Sequence, residues 1–498
     1  MTSNKSIDSA PLHKPTGKGV RPIITEYDPE KRTARTELGD LVLVKYKCHS
    51  NGVPTSMTNG STLPLVSGTN LSGKDPETGG YNPFEHRRLQ HPTTDAETLI
   101  HLLKGSLGTG ILAMPFAFAN AGLFFGLVAT CLIGLVCTYC IHILIKCSHK
   151  LCRRMKVPSL GFADVAEVAF MAGPPAVRKF STLSRAIINL FLVIDLIGCC
   201  CVYNLFVAKN IYEVAHEYLP QLELSHCIFG LLPFLILMNL IRNLKFLAPF
   251  SMIANILIGT SLGIIMYYVF QDVKPMNSVP AFASVHTLPI FFGTAIFALE
   301  GIGVVMPLEN NMKTPTHFIG CPGVLNTGMS LVVFLYVFVG FFGYLRYGES
   351  THEIISGNLD SDAIGMATRL MIAVAIFLTY ALQFYVPIEI IWKGVKHRFT
   401  SRPVLAENII RILLVFFTVI VAASVPNLGP LISLVGALCL SVLGLMFPSI
   451  IEIVVLWDDG FGRFNWILCK NILIIAFGVL GLVTGTMTSL QDMFKAVQ

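Results

Sequence analysis

The stretch GTGILAMP, residues 108–115, interrupts one apolar run, and GIGVVMP, residues 301–307, interrupts another in the same way. In each, a glycine pair followed by Met-Pro loosens helical hydrogen bonding where no water compensates, so the freed backbone groups must face a cavity or a ligand. Matched interruptions in two spans are the pattern of a carrier's binding site at the middle of a bilayer.

Composition points the same way. The chain is 53% hydrophobic and 13% charged, with a mean hydropathy of +0.65. That much apolar surface exceeds what a soluble core hides, and a bilayer takes it readily. The net charge of +6 carries no nucleic-acid signature, because the basic residues fall in loops and the tail rather than on one helix face.

Apolar runs of ~20 residues bounded by charge or Pro/Gly predict an all-α polytopic membrane protein with eleven transmembrane helices. They lie near residues 98–122, 124–146, 183–208, 226–241, 246–270, 288–309, 322–345, 365–391, 405–424, 428–456 and 466–490. The fourth is short. Residues 162–177, with Asp164, Glu167 and Pro174-Pro175, read as a surface helix. Residues 1–93, rich in Ser, Thr, Pro, Gly and charge, read as a disordered tail. Residues 94–492 form the transporter domain, and 493–498 a short C-terminal tail. No basic-then-apolar leader precedes the first span, so that span is expected to direct its own insertion. Within the tail, Asp40 to Lys47 suits one short strand or helix. Tyr81-Asn82-Pro83-Phe84 is either a sorting signal of Tyr-x-x-apolar shape or an aromatic in a solvated segment.

With the tail in the cytosol, sixteen Lys and Arg fall on inner loops against five outside, which supports a cytosolic N-terminus. The sequons at Asn59 and Asn70 are then expected to stay unmodified. Most of the thirteen cysteines lie inside spans, including Cys199-Cys200-Cys201, and read as small packing residues. No structural disulfide and no metal site is expected.

Span one and span six enter from opposite sides, so equivalent breaks describe a five-plus-five inverted repeat with helices 1 and 6 broken at mid-membrane. Backbone N–H groups of Gly108, Thr109 and Gly110 open the second half of span one, whose positive dipole end suits a carboxylate. Carbonyls around Phe297 to Glu300 suit an ammonium. Together they fit a zwitterion with both charges on one carbon. The competing reading is close helix packing, as at Gly122-x3-Gly126, Gly259-x3-Gly263 and Gly481-x3-Gly485.

Three segments resemble the proton-coupled amino acid transporters of the amino acid/auxin permease superfamily. They are Leu99 to Gly122, with HLLKG and GTG, then FFGTAIFALEGIGVVMPLENNM at 291–312, and TYALQFYVP at 379–387. The resemblance covers roughly residues 95–490 and leaves out the tail. It implies an eleven-span carrier that moves small neutral amino acids, often with a proton, at the plasma membrane or out of lysosomes. It also implies protons as the coupling ion and no other cofactor. Relatives commonly carry Asn where this chain has Ser106 and an aromatic where it has Leu299. Their outer disulfide has no counterpart in the loop from Tyr347 to Ile364.

Ionisable residues inside spans are costly and therefore informative. His101 lies two turns before the first break, about 10 Å along a helix, and its pKa is tunable within the physiological range. By resemblance it matches the histidine of proton coupling; the plain reading is a histidine bonded near the interface. Glu300 abuts the second break as a second proton carrier, a partner of the substrate amine, or a local cap on unwound amides. Asp195 is a deep carboxylate in span three, and Glu389 and Glu452 are expected to meet basic residues near span ends. The substrate-binding set is Gly105, Ser106, Gly108, Thr109, Gly110, Tyr203, Phe297, Glu300, Gly301, Tyr380 and Gln383, with His101 and Glu300 for protons. Enzyme readings fail: His352-Glu353 and His216-Glu217 lack a second histidine, and no phosphate loop occurs. The functional expectation is proton symport of small neutral amino acids by alternating access. The alternatives are an amino acid sensor whose tail engages signalling partners and uncoupled facilitated diffusion.

Overall fold

The computed structural model describes residues 81–87, 89, 92–241, 244–299, 301–399, 401–425 and 427–497, with side chains 244–249, 251, 496 and 497 left out. Glu300, the sequons and Asp40 to Lys47 lie outside the described residues.

Helix occupies each of the eleven apolar runs. The helices are α1 (Asp95–Ser106), α2 (Gly110–Ala121), α3 (Leu123–Met155), α4 (Phe162–Ala172), α5 (Ser181–Tyr218), α6 (Leu224–Asn239) and α7 (Leu244–Gln271). After them come α8 (Leu288–Ala298), α9 (Ile302–Asn310), α10 (Val324–Tyr347), α11 (Ala363–Val395), α12 (Pro403–Ser424), α13 (Leu428–Val455) and α14 (Trp466–Val497). Among the described residues nine helical segments are long and apolar enough to cross a bilayer, and the bent pair α1–α2 makes a tenth. The protein is a multi-pass membrane protein. The 16 residues of α6 span about 24 Å, short of the roughly 30 Å hydrocarbon core.

Several helices overshoot the expected spans. α3 runs 33 residues and α5 runs 38, because charged turns continue past the apolar window. Lys150 and Arg154 on the last turns of α3 both bond Asp459 in the loop after α13. Glu452 and Glu389 meet Lys470 at 2.6 Å and Lys393 at 2.7 Å. The helix expected on the surface near residue 162 is instead embedded. Val165, Ala166, Val168 and Ala169 are fully buried, and its Glu167 bonds Arg185 of α5 at 2.7 Å.

Starts and stops follow local chemistry. Thr94 caps α1 in a reciprocal box with Glu97: its hydroxyl accepts from the Glu97 amide at 3.3 Å, and its own amide donates to the Glu97 carboxylate at 2.8 Å. Asp362 caps α11 and also accepts the Tyr268 hydroxyl at 2.6 Å, tying the end of α7 to the start of α11.

Two groups of helices pack within themselves. α2 lies against α8 and α10, with α1 and α3 also on α10; α11 lies against α5 and α7, with α12 on α5 and α6. α13 touches both groups through α8 and α5. Gly436 and Gly293 permit its contact with α8: a Cβ on Gly436 would stand 2.1 Å from the Gly293 carbonyl oxygen. From Gly436 to Met446 α13 widens into a π-helix.

The three Gly-x3-Gly pairs divide by their neighbours. Gly126 faces Phe118 and Gly485 faces Ala437, each with under 3.0 Å for an added Cβ, whereas Gly259 and Gly263 have nothing within 4 Å. Close packing therefore explains the first and third pairs among the described residues and leaves the second without a partner.

Before α1, Tyr81 to Thr93 is partly described and docked. Pro83–His86 forms a single 3-10 turn, with Asn82 accepting from the Phe84 amide at 3.2 Å. Arg87, nearly buried, donates to the Pro158 carbonyl at 2.9 Å, to the Glu309 carbonyl at 3.0 Å and to the Glu309 carboxylate at 3.1 Å. His149 of α3 meets the same carboxylate at 2.8 Å, and Phe84 lies edge-on to the His149 ring. Thr93 forms a parallel bridge with Met312, donating to the Asn311 carbonyl and accepting from the Lys313 amide, both at 2.9 Å.

Candidate binding site at two broken helices

Both interruptions fall where the glycines and Met-Pro pairs place them. α1 ends at Ser106, Leu107 leaves helical geometry at φ −89°, ψ 85°, and α2 restarts at Gly110 with a bend of 53°. α8 ends at Ala298 and α9 restarts at Ile302 after Gly301, whose φ of −162° is extended. Among the described residues no side chain caps either restarting helix, so their N-terminal amides face the break.

The two breaks meet reciprocally. A Cβ on Gly110, where α2 begins, would sit 2.5 Å from the Ala298 Cα, where α8 ends. A Cβ on Gly301, where α9 begins, would sit 3.2 Å from the Ser106 hydroxyl, where α1 ends. Gly105 approaches Val304 of α9 at 3.0 Å. Each half-helix end thus lies beside the start of the other span's second half.

Of the expected site residues, Ser106, Thr109, Gly110, Tyr203 and Gly301 gather here. Ser106 and Thr109 are buried, and their hydroxyls have no hydrogen-bond partner among the described residues. Leaving such a group unpaired costs about 1–3 kcal/mol. The Tyr203 hydroxyl from α5 reaches Gly108, 3.6 Å from where its Cβ would lie. Phe297 is buried and backs onto Gly436 of α13.

Others stand apart. The Tyr380 hydroxyl bonds Thr418 at 2.7 Å, and its ring stacks on Phe384, so its polar end is committed to α12. Gln383 is half-buried on the same helix. His101 is exposed on α1, one turn past Glu97. Asp195 is buried in α5.

Tyr336 of α10 is a member the sequence did not single out. Its hydroxyl donates to the Ser106 carbonyl, freed where α1 stops. Nothing in LVVFLYVFVG separates it from neighbouring aromatics that pack. Tyr336→Phe should lower substrate uptake about tenfold, within the roughly 1–3 kcal/mol cost of a buried acceptor left bare. Uptake equal to wild type at equal surface abundance would show that the hydroxyl does not hold the break. Asn204, beside Tyr203, is a second addition: it is buried, and neither end of its amide has a partner among the described residues.

Comparison with known proteins identifies the family. The model of the family of transmembrane amino acid transporter proteins matches residues 91–491. The chain belongs to that family. It is 45% identical over 430 residues to the proton-coupled amino acid transporter-like protein pathetic of Drosophila melanogaster, covering 86% of this chain and 90% of that one. It is 27% identical over 419 residues to the amino acid transporter AVT3C of Arabidopsis thaliana, covering 80% and 91%. A solved inward-facing structure of Mhp1 aligns with a TM-score of 0.48 at 12% identity, over 86% of this chain and 94% of that one. This family member is a transporter-type protein and not an enzyme, and the resemblance carried by GTG, GIGVVMP and TYALQFYVP holds across the membrane domain.

Proposed function

We propose that this chain moves small neutral amino acids together with protons, by alternating access around the paired breaks. The observation that carries the reading is the reciprocal meeting of Gly110 with Ala298 and of Gly301 with Ser106. It sets a helix N-terminus beside the carbonyl end of its counterpart. The first favours a carboxylate and the second an ammonium, so one small zwitterion satisfies both. Buried Ser106 and Thr109 hydroxyls and Tyr203 supply further bonds.

The reciprocity also fits a five-plus-five inverted repeat, in which α6 counts as a short eleventh span with the bilayer thinned around it. The charge asymmetry of the loops favours a cytosolic N-terminus, in a plasma or lysosomal membrane. His101 and Glu300 are the proton candidates, the first exposed toward the N-terminal face.

Electrophysiology with labelled alanine, glycine and proline across external pH tests this. Wild type should carry an inward current that grows with acidity, and His101→Ala should lose the acid dependence while keeping part of the flux. Flux without current or acid dependence would reduce the protein to a facilitator. Binding without flux would make it a sensor.

A further inference from the structure

A charged cavity lies beyond the breaks, along the stretches of α2 and α5 that run on from them. It measures about 350 Å³ and is lined by Phe116, Lys209, Glu213, Glu349, His352 and Glu353, among others. Two helices place it in register with the breaks. Phe116 comes six residues after Gly110 on α2, and Lys209 six residues after Tyr203 on α5, each about 9 Å along its helix.

Its central pair is built to exchange. Lys209 of α5 bonds Glu353 of the loop after α10 at 2.5 Å, with side chains 20% and 23% exposed. The other Glu353 role is fixed: the carboxylate also accepts the Leu428 amide at 2.9 Å, at the start of α13. A solute that offers both charges gives each partner a new counter-charge as it displaces the bond, so neither is left orphaned. The neighbouring pair is not exchangeable in this way. Arg369 holds Glu213 at 3.2 Å while also donating to the Ser356 and Leu359 carbonyls at 3.1 Å and 2.6 Å.

We infer that this cavity is a reception site for the zwitterionic substrate, in which Lys209 takes the carboxylate and Glu353 the ammonium before the solute descends to the breaks. Phe116 forms the apolar wall for the substrate side chain. With Lys209 matched to Glu353 and Arg369 to Glu213, Glu349 leaves one carboxylate in excess around the cavity, so it disfavours a second carboxylate on the substrate and discriminates against acidic amino acids. The inference rests on the transport reading above.

The test measures alanine flux by the full chain in vesicles that present one face or the other. Lys209→Gln and Glu353→Gln should each raise the KM about tenfold when alanine is offered to the face carrying residues 348–358. Maximal rate should stay within about twofold, and the KM from the N-terminal face should not change. Lys209→Arg, which keeps the charge, should keep the wild-type KM. If wild type moves alanine and both neutral variants keep its KM, or shift it equally from both faces, or if Lys209→Arg fails as they do, the reception site is wrong and transport stands. If wild type moves no amino acid, both readings fall.

Discussion

Gly110→Ala is expected to cut amino acid uptake at least about tenfold, while Gly108→Ala leaves it within about twofold. The added methyl at residue 110 would stand 2.5 Å from the Ala298 Cα and 2.8 Å from its Cβ. The obstacle is backbone, which has no rotamer to swing away. α2 and α8 would have to part where the two breaks meet, and overpacking of this kind costs about 1–3 kcal/mol. At residue 108 the same methyl meets only the Tyr203 hydroxyl, at an ordinary 3.6 Å. Gly259→Ala, in open space, is the matched control. Labelled alanine uptake normalised to protein at the surface measures all three. Equal uptake by Gly110→Ala and the control would mean that the breaks do not need to touch.

Glu309→Ala is expected to be among the most destabilising single changes outside the breaks, by about 3–5 kcal/mol. The Glu309 side chain is fully buried and the Arg87 side chain is 4% exposed. Removing the carboxylate strands the guanidinium beside the Pro158 and Glu309 carbonyls with no counter-charge. Glu309→Gln keeps the shape and an acceptor, so it should lose less. The combination Arg87→Met with Glu309→Met should recover part of the loss, because an apolar pair removes both charges instead of orphaning one. Melting of the purified full chain in detergent reads the series. A melting temperature for Glu309→Ala matching wild type would show that water reaches the cluster and screens it.

Much of this architecture was readable from residue order. Apolar run length placed the helices, since a bilayer demands about 20 residues whatever they pack against. Gly108, Gly110 and Gly301 marked the breaks because a glycine pair before Met-Pro weakens a helix wherever it lies. What order did not give was partnership. Gly259-x3-Gly263 and Gly481-x3-Gly485 look alike, yet only Gly485 meets another helix closely, and the facing residue, Ala437, is remote in the chain. Tyr336 was hidden for the same reason, because the carbonyl it serves belongs to Ser106. Arg87 was read with a polar tail, although its partner Glu309 lies 222 residues on. Tyr380 is the converse case: expected as a pocket wall, it gives its hydroxyl to Thr418.

The bridge at Thr93 joins the entry of α1 to the exit of α9 through two main-chain hydrogen bonds, and the Thr93 hydroxyl adds a third to the Asn311 carbonyl at 3.2 Å. Half of each broken span is therefore yoked to half of the other, outside the breaks as well as at them. Tilting one drags its mate, so the two act as a single lever rather than as two independent shutters. Because the two bridge bonds run between main-chain atoms, ordinary substitution at Met312 or Lys313 leaves them whole, and drift in sequence there does not easily uncouple the pair.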